Sequence, residues 1–403
     1  MAGSAPGRSR AIDHLRNLVI LGLILFHTAR LFDADPWHVK DIGRYAAADV
    51  LIGVFNVVQM PLLFFLAGIT AMHSLAARGA GRYVRERLER LGLPLVAGIL
   101  LVVPPQVYVE RLAAGLDGRS SPIDIAPGTG FVGFYPSFFD CCYPAANFSW
   151  HHLWFLAYLL VYALALLPLF LIARRPGPRA RLDQAGTRIA AAGPPALLAL
   201  GLPVLLAEIV LRPDFPSTHA LAGDWANHLH FGLLILLGGW FALCPALGAA
   251  AETHHRLLLI IAAVATALAV AAWMTGALPV PALRRCLRVA GEWAAILGLL
   301  GWAGRRLARP ITGLSGFSRL AFPFYIVHQT VIVVSGYLLL GWSGQPLVKY
   351  LAIVAVSGLV SGESHLKIPG SGMVRDGFFI RFQGGTDAIS DHHPAPGARP
   401  AHG

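Results

Sequence analysis

Long blocks of apolar residues, separated by short charged stretches, occupy most of this chain. A membrane-spanning helix needs roughly 20 mainly apolar residues. The pattern therefore predicts an all-α fold, a polytopic integral membrane helical bundle with about ten transmembrane helices. The predicted spans lie at about 17–33, 47–76, 91–111, 150–173, 190–211, 227–247, 257–275, 286–304, 317–340 and 346–361. The second span is long enough to be tilted, or broken at Met60-Pro61.

Composition supports a membrane protein. The chain has 403 residues, of which 56% are hydrophobic and 13% charged, against about 25% charged in soluble domains. The net charge of +11 is explained by Lys and Arg in cytoplasmic loops better than by nucleic-acid binding, because basic patches with interleaved aromatics are not seen. We therefore expect no nucleic-acid partner. The four cysteines show no C-x-x-C spacing, so a zinc or redox motif is not expected either.

The distribution of arginine predicts the orientation. The N-terminal arm and the loops after spans two, four and eight are rich in Arg. These stretches share one side if the bundle has ten spans and a cytoplasmic N-terminus, in the inner (plasma) membrane. The opposite loops carry Asp instead. Arg284, Arg285 and Arg288 are an exception, since this scheme places them on the extracytoplasmic side.

Two ionisable residues share a face of the first span. Arg16 and His27 are eleven positions apart, which is three helical turns plus roughly 20°, over about 16 Å. The spacing places Arg16 at the cytoplasmic edge, where Asp13 can pair with it, and His27 more than halfway across. Ionisable groups inside spans are functional candidates by default. The alternative is structural: an Arg that reaches the headgroups and a His packed against a neighbouring helix.

The ninth span contains a second histidine. Counted from residue 317, His328 is again roughly 16 Å into the membrane, and Tyr325, three residues earlier, faces the same way. Two histidines at one depth indicate a polar site that handles protons. Two unrelated, separately satisfied histidines are the alternative.

Three further features are less specific. Arg87 and Arg90 share a helix face after span two and suit phosphate groups, although the orientation rule explains them equally well. His151 and His152 open span four and can line an outer mouth. Glu208 and Glu292 are the acidic residues nearest the membrane interior, and either can orient a histidine. The segment at about 112–149 is either a connector or a cover over a substrate entrance.

Four segments, in this order, resemble acyltransferase family 3 of integral membrane acyltransferases, and within it the glucan biosynthesis protein C-like members. They are RAIDHLRNLVILGLILFHTARLF, MPLLFFLAGI with RYVRERLERLGLP, HHLWFLAYLLVY, and SRLAFPFYIVHQTVIV. The matching positions are a basic residue ten residues before a His, an R-x-x-R, a His-Leu-Trp-Phe-Leu and a Tyr-x-x-His: Arg16 and His27, Arg87 and Arg90, His152, Tyr325 and His328.

This resemblance implies a membrane acyltransferase domain at residues 1–361, and the polar, Gly-, His- and Pro-rich residues 362–403 are predicted to be a disordered tail. The implied reaction moves an acetyl or succinyl group from cytoplasmic acyl-CoA to a hydroxyl of an extracytoplasmic glycan. His27 would act as general base, or as a transient acyl carrier. Tyr325 and His328 would shape or polarise the site.

The resemblance also implies that Arg16, Arg87 and Arg90 hold the phosphates of acyl-CoA, the expected donor, with no metal cofactor. Membrane lipids surround the bundle. A transporter or flippase for a glycan or an acyl donor is the alternative, because transporters also place polar residues near the midplane. An inactive copy is a third hypothesis, motivated by the residues after 361, which depart from the family's pattern.

Overall fold

The computed structural model describes residues 6–117, 125–126, 128–276 and 280–363. Within these ranges the regular secondary structure is helical. The predicted disordered tail lies outside the described residues from 364 onwards.

The described residues of the first half of the chain form nine α-helices. Their bounds are α1 Pro6–Ala29, α2 Ala46–Arg78, α3 Ala80–Arg87, α4 Leu93–Leu101, α5 Val103–Asp117, α6 Phe131–Phe134, α7 Trp154–Ala165, α8 Leu167–Ala173 and α9 Pro176–Ala191. A π-helical turn at Leu88–Gly92 joins α3 to α4, and 3₁₀ turns occupy Tyr135–Phe139 and His151–Leu153.

The second half continues in the same way. Its helices are α10 Pro194–Ala199, α11 Leu202–Leu211, α12 Trp225–Leu243, α13 Pro245–Thr275, α14 Pro281–Arg306, α15 Thr312–Phe317, α16 Ala321–Leu338 and α17 Pro346–Glu363.

The predicted membrane bundle is confirmed. Among the described residues, eight helical stretches are long and apolar enough to cross a membrane. A ninth is the pair His151–Ala165 and Leu167–Ala173, which is bent by 49°. The tenth predicted span corresponds to the shorter apolar helix Pro346–Gly362. Each of the ten apolar blocks is therefore helical, as one helix or as two consecutive helices, because chain that is buried in lipid must satisfy its own backbone hydrogen bonds.

Two local expectations need correction. Helix α2 runs unbroken through Pro61, because a proline removes one backbone donor while the flanking turns can keep theirs. Helix α1 begins at Pro6 and ends at Ala29, earlier at both ends than the predicted span. Arg16 consequently lies well inside the helix, and His27 lies in its last turn.

The centre of the bundle depends on a close crossing of α2 and α12. A Cβ atom added at Gly68 would lie 1.9 Å from the Ile235 carbonyl oxygen, and one at Gly238 would lie 2.0 Å from that of Phe65. Small residues at such crossings let backbones approach, which is how helices associate in lipid. Phe64 and Phe65 are fully buried beside this contact. The crossing therefore positions the apolar residues that support the polar site of the bundle.

Candidate active site

Three histidine rings from separate parts of the chain meet in the bundle. The ring centroids of His27 and His328 lie 5.1 Å apart, and those of His328 and His152 lie 5.3 Å apart. His27 comes from the last turn of α1, His328 from α16, and His152 from the 3₁₀ turn before α7. The first and ninth spans therefore bring their histidines together, as the spacing predicts.

Hydrogen bonds fix how these rings present their nitrogens. His328 Nδ1 donates to the Tyr325 carbonyl oxygen at 2.7 Å, and His152 Nε2 donates to that of Ile326 at 2.9 Å. The Tyr325 hydroxyl donates to the His152 carbonyl oxygen at 2.5 Å. His328 Nε2, His152 Nδ1 and His27 Nδ1 are buried and have no hydrogen-bond partner among the described residues. Each ring thus keeps one nitrogen that forms no hydrogen bond within the described part of the chain, and of the three residues His27 and His152 also line a cavity of about 450 Å³, whereas His328 does not.

A cavity lies on the side of the bundle where α1 begins, and we call it the proximal cavity. Its polar lining consists of two arginines, three tyrosines and a threonine within an otherwise apolar wall: Arg16, Arg87, Tyr83, Tyr162, Tyr325 and Thr70. Arg16 is only 4% exposed and pairs with Asp13 at 2.8 Å, so the alternative in which it reaches the headgroups does not fit.

The two arginines of the predicted R-x-x-R, Arg87 and Arg90, lie in different surroundings. The Arg87 guanidinium lies 4.8 Å from the centre of the Tyr83 ring and borders the proximal cavity together with Arg16. Arg90 does not border that cavity in the part of the chain that is described. The reason is the π-helical turn at Leu88–Gly92, which lengthens the local repeat and turns Arg90 away from the face that Arg87 occupies.

A second cavity, the distal cavity, measures about 450 Å³. Its lining includes His27 and His152 together with Arg212, Arg285 and Arg288. Tyr325 borders both cavities. This residue is therefore common to the cavity lined by Arg16 and the cavity lined by His27.

A buried charge network adjoins the distal cavity. His230 Nδ1 contacts Glu208 at 2.9 Å, and His230 Nε2 contacts Glu292 at 2.7 Å. Arg288 pairs with Glu208 at 2.6 Å and with Glu292 at 3.2 Å, and Arg212 pairs with Glu208 at 2.6 Å. Both acidic residues found in the sequence thus bind one histidine, His230, which the sequence reasoning missed.

The comparison with protein families now decides what kind of protein this is. The family model described as an acyltransferase domain, acyltransferase family 3, matches residues 9–362. The chain belongs to this acyltransferase family. No curated protein and no solved structure matches the chain. Membership supports an acyltransferase enzyme with many membrane helices.

This acyltransferase also contains a second polar cluster, which the sequence reasoning missed. His38 Nδ1 donates to Glu110 at 2.5 Å, and His151 Nε2 lies 3.8 Å from the same carboxylate. The ligand atoms of these three residues lie within 4.8 Å of one another, a set that could hold a metal ion. His38 lies in a loop and Glu110 in the third span, so no local spacing connects them.

The described part of the segment at 112–149 folds over this cluster. The Tyr143 hydroxyl donates to Glu110 at 3.1 Å, and Arg111 Nε donates to the Asn147 side chain at 3.1 Å. The Tyr108 hydroxyl donates to the Thr129 carbonyl oxygen at 2.9 Å. Of the two sequence interpretations, these contacts fit a cover better than a solvated connector.

The loop between α11 and α12 closes the distal cavity of the acyltransferase. The His219 ring stacks on Trp154 with centroids 4.0 Å apart, and Trp150 Nε1 donates to the His219 carbonyl oxygen at 2.9 Å. Burial lowers the pKa of the His219 imidazole, although Asp224 acts in the opposite direction. A neutral imidazole thus joins Trp154 in an aromatic wall of the cavity.

Proposed function

We propose that this protein is a membrane O-acyltransferase that moves an acetyl or succinyl group from cytoplasmic acyl-CoA to a hydroxyl of an extracytoplasmic glycan. The observation that carries the proposal is the pair of cavities that share Tyr325, one lined by Arg16 and Arg87 and the other by His27. The resemblance to glucan biosynthesis protein C-like members supports the choice of acceptor.

The proximal cavity, which measures about 60 Å³, would have to widen to admit the donor from the cytoplasmic side of the inner membrane, where the N-terminus would lie. Arginine forks match phosphate oxygens, so Arg16 and Arg87 suit the phosphates of coenzyme A. Arg90, which lies outside the cavity wall, would attract the donor at longer range. The thioester would extend past Tyr325 toward the histidines.

His27 would act as general base in the distal cavity. Its ring nitrogen takes the proton of the acceptor hydroxyl while the oxygen forms an ester bond with the acyl carbon. The carbon–sulfur bond of the thioester breaks, and the leaving coenzyme A sulfur is protonated. His328, whose ring adjoins that of His27, and the Tyr325 hydroxyl would shape and polarise this site. A transient acyl-His27 is the other possible course of the reaction.

The test uses membranes that contain the full chain, radiolabelled acetyl-CoA or succinyl-CoA, and a glucan acceptor. Loss of a general base costs about 10²–10⁴-fold in rate, so His27→Ala should abolish measurable labelling of the glycan. His254→Ala is the matched control, because His254 lies on α13 and lines neither cavity. Full transfer by His27→Ala would overturn the assignment.

A transporter or flippase is the second candidate. It is favoured by the same observation, since two cavities that share one aromatic residue inside the bundle also suit alternating access. The two candidates differ in the fate of the label. Covalent attachment of the acyl group to the glycan supports the transferase, whereas movement of unmodified glycan or donor across vesicles supports transport.

A further inference from the structure

Three arginines at the start of α14 occupy an unfavourable place. Arg284, Arg285 and Arg288 lie in the first turns of this helix, which has no acidic residue in its first turn. A helix N-terminus carries a partial positive charge that acts within the first turn, so it disfavours Arg284. The predicted orientation puts all three arginines on the extracytoplasmic side, where Lys and Arg are disfavoured. The orientation rule thus opposes the whole cluster, and the acyl donor does not explain that cost.

The three side chains share one crevice, which is formed with Asn56, Val270 and Trp273. Arg285 and Arg288 also line the distal cavity together with His27, whereas Arg284 lines only the crevice. Two adjacent residues of the cluster therefore differ: Arg285 borders the distal cavity, and Arg284 does not.

The charges beside the distal cavity do not balance. Arg212 and Arg288 are held by Glu208 and Glu292 through the ion pairs described above. Arg285 forms no ion pair with a carboxylate within the described residues. One half-buried guanidinium is thus left over at the wall of a cavity whose acidic groups are already engaged, and such a group can pair with an anionic ligand.

The remaining lining suits a small polar ligand with an apolar face. The cavity volume of about 450 Å³ falls within the range of about 300–1,000 Å³ that is typical of small-molecule sites. Trp154, stacked with His219, supplies an aromatic surface. Asn227 and Ser217 also line it, although they are hydrogen-bonded to each other, and Asn227 accepts from Arg212.

We propose that the distal cavity selects an acceptor saccharide that carries an anionic group, a carboxylate or a phosphate ester. The Arg285 guanidinium binds that group while a hydroxyl of the same sugar unit reaches His27. Arginine binds both oxyanions through paired N–H donors, which orients the acceptor as well as attracting it. This inference rests on the proposed function and names the substrate class of the same site.

The experiment compares Arg285→Gln with Arg284→Gln in the purified full chain. Acceptors are a glucuronate-containing disaccharide, a glucose phosphate ester and the neutral disaccharide, with acetyl-CoA or succinyl-CoA as donor. Arg285→Gln should raise KM for at least one anionic acceptor by about 10–100-fold, which corresponds to the loss of one charge-assisted contact, and should leave kcat within about twofold. Arg284→Gln should match the wild type, and Arg285→Lys should recover part of the affinity.

Two outcomes overturn the inference while leaving the proposed function intact. One is transfer that shows no preference for an anionic acceptor. The other is an Arg285→Gln variant with unchanged KM for both anionic acceptors. Equilibrium binding of the same saccharides without donor provides a separate readout. Binding that depends on Arg285, with no acyl transfer to any acceptor, supports the anionic site and counts against the transferase.

A lipid is the other source of the same chemistry. Vesicles of anionic phosphatidylglycerol and of neutral phosphatidylcholine are therefore added as competitors in the binding assay. Competition by the anionic lipid alone, with no saccharide binding in its absence, would overturn the saccharide proposal in favour of a headgroup site.

Discussion

His27 and His328 belong to the first and ninth membrane helices, yet their ring centroids lie 5.1 Å apart. His328 is fully buried, and its Nδ1 is engaged by the Tyr325 carbonyl oxygen. Its Nε2 is therefore the nitrogen that remains for the reaction. His328 is therefore a polar neighbour of His27 that comes from the ninth span.

We expect His328→Gln to lower kcat by about 10–100-fold, because catalytic effects of positioned proton-handling groups fall in or near this range. The KM for acyl-CoA should stay within about twofold, since His328 does not line the proximal cavity. Steady-state kinetics with labelled acyl-CoA provide the measurement, with His254→Gln as control. An unchanged kcat would show that the ring contact has no catalytic role.

Substitutions at the two arginines of the R-x-x-R should change the KM for acyl-CoA to different extents. Arg87→Gln should raise the KM for acyl-CoA by about tenfold, equivalent to about 1.4 kcal/mol, because Arg87 borders the proximal cavity with Arg16. Arg90→Gln should have a smaller effect. The measurement is donor KM for both variants at fixed ionic strength. Equal effects would argue that the π-helical turn does not separate their roles.

The buried network around His230 should be a major contribution to stability. Glu208 is 1% exposed and pairs with Arg212, Arg288 and His230. Removal of one partner of a buried ion pair costs about 3–5 kcal/mol, so Glu208→Gln should clearly lower the thermal unfolding midpoint in detergent.

Glu89→Gln is the matched control for that variant. Glu89 pairs with Arg85 at 2.7 Å, but the side chains are 50% and 79% exposed, and exposed pairs contribute little. Its midpoint should match the wild type. A Glu208→Gln protein as stable as Glu89→Gln would contradict the importance of the network.

The crossing of α2 and α12 should not tolerate a side chain. Gly238→Ala puts a Cβ atom 2.0 Å from the Phe65 carbonyl oxygen, and backbone has to move to relieve that contact. Overpacking of this kind costs about 1–3 kcal/mol. A lowered unfolding midpoint and reduced detergent-extractable folded protein are expected.

Gly232→Ala is the same substitution at a position where the added Cβ atom causes no steric clash. Gly232 lies on the same helix and has nothing within 4 Å of an added Cβ atom. Alanine is the better helix former by about 1 kcal/mol, so this variant should be as stable as the wild type or more so. Similar losses in both variants would mean that the close crossing is not the cause.

The sequence by itself determined the helices and their local geometry. Apolar runs of about 20 residues have to become helical in lipid, and each of the ten predicted blocks is helical. The 3.6-residue period also placed Arg16 and His27 on one face, and three-residue spacing paired Asp13 with Arg16. These features depend only on residues near one another in the chain, so a regular repeat is sufficient to predict them.

Only the tertiary structure decided which polar groups meet. His230 lies between Glu208 and Glu292, which come from α11 and α14, and Arg285 lines the distal cavity while Arg284 does not. The π-helical turn likewise separates Arg87 from Arg90. Such contacts depend on helix packing and on local departures from the 3.6-residue repeat, and a periodic pattern contains no information about either.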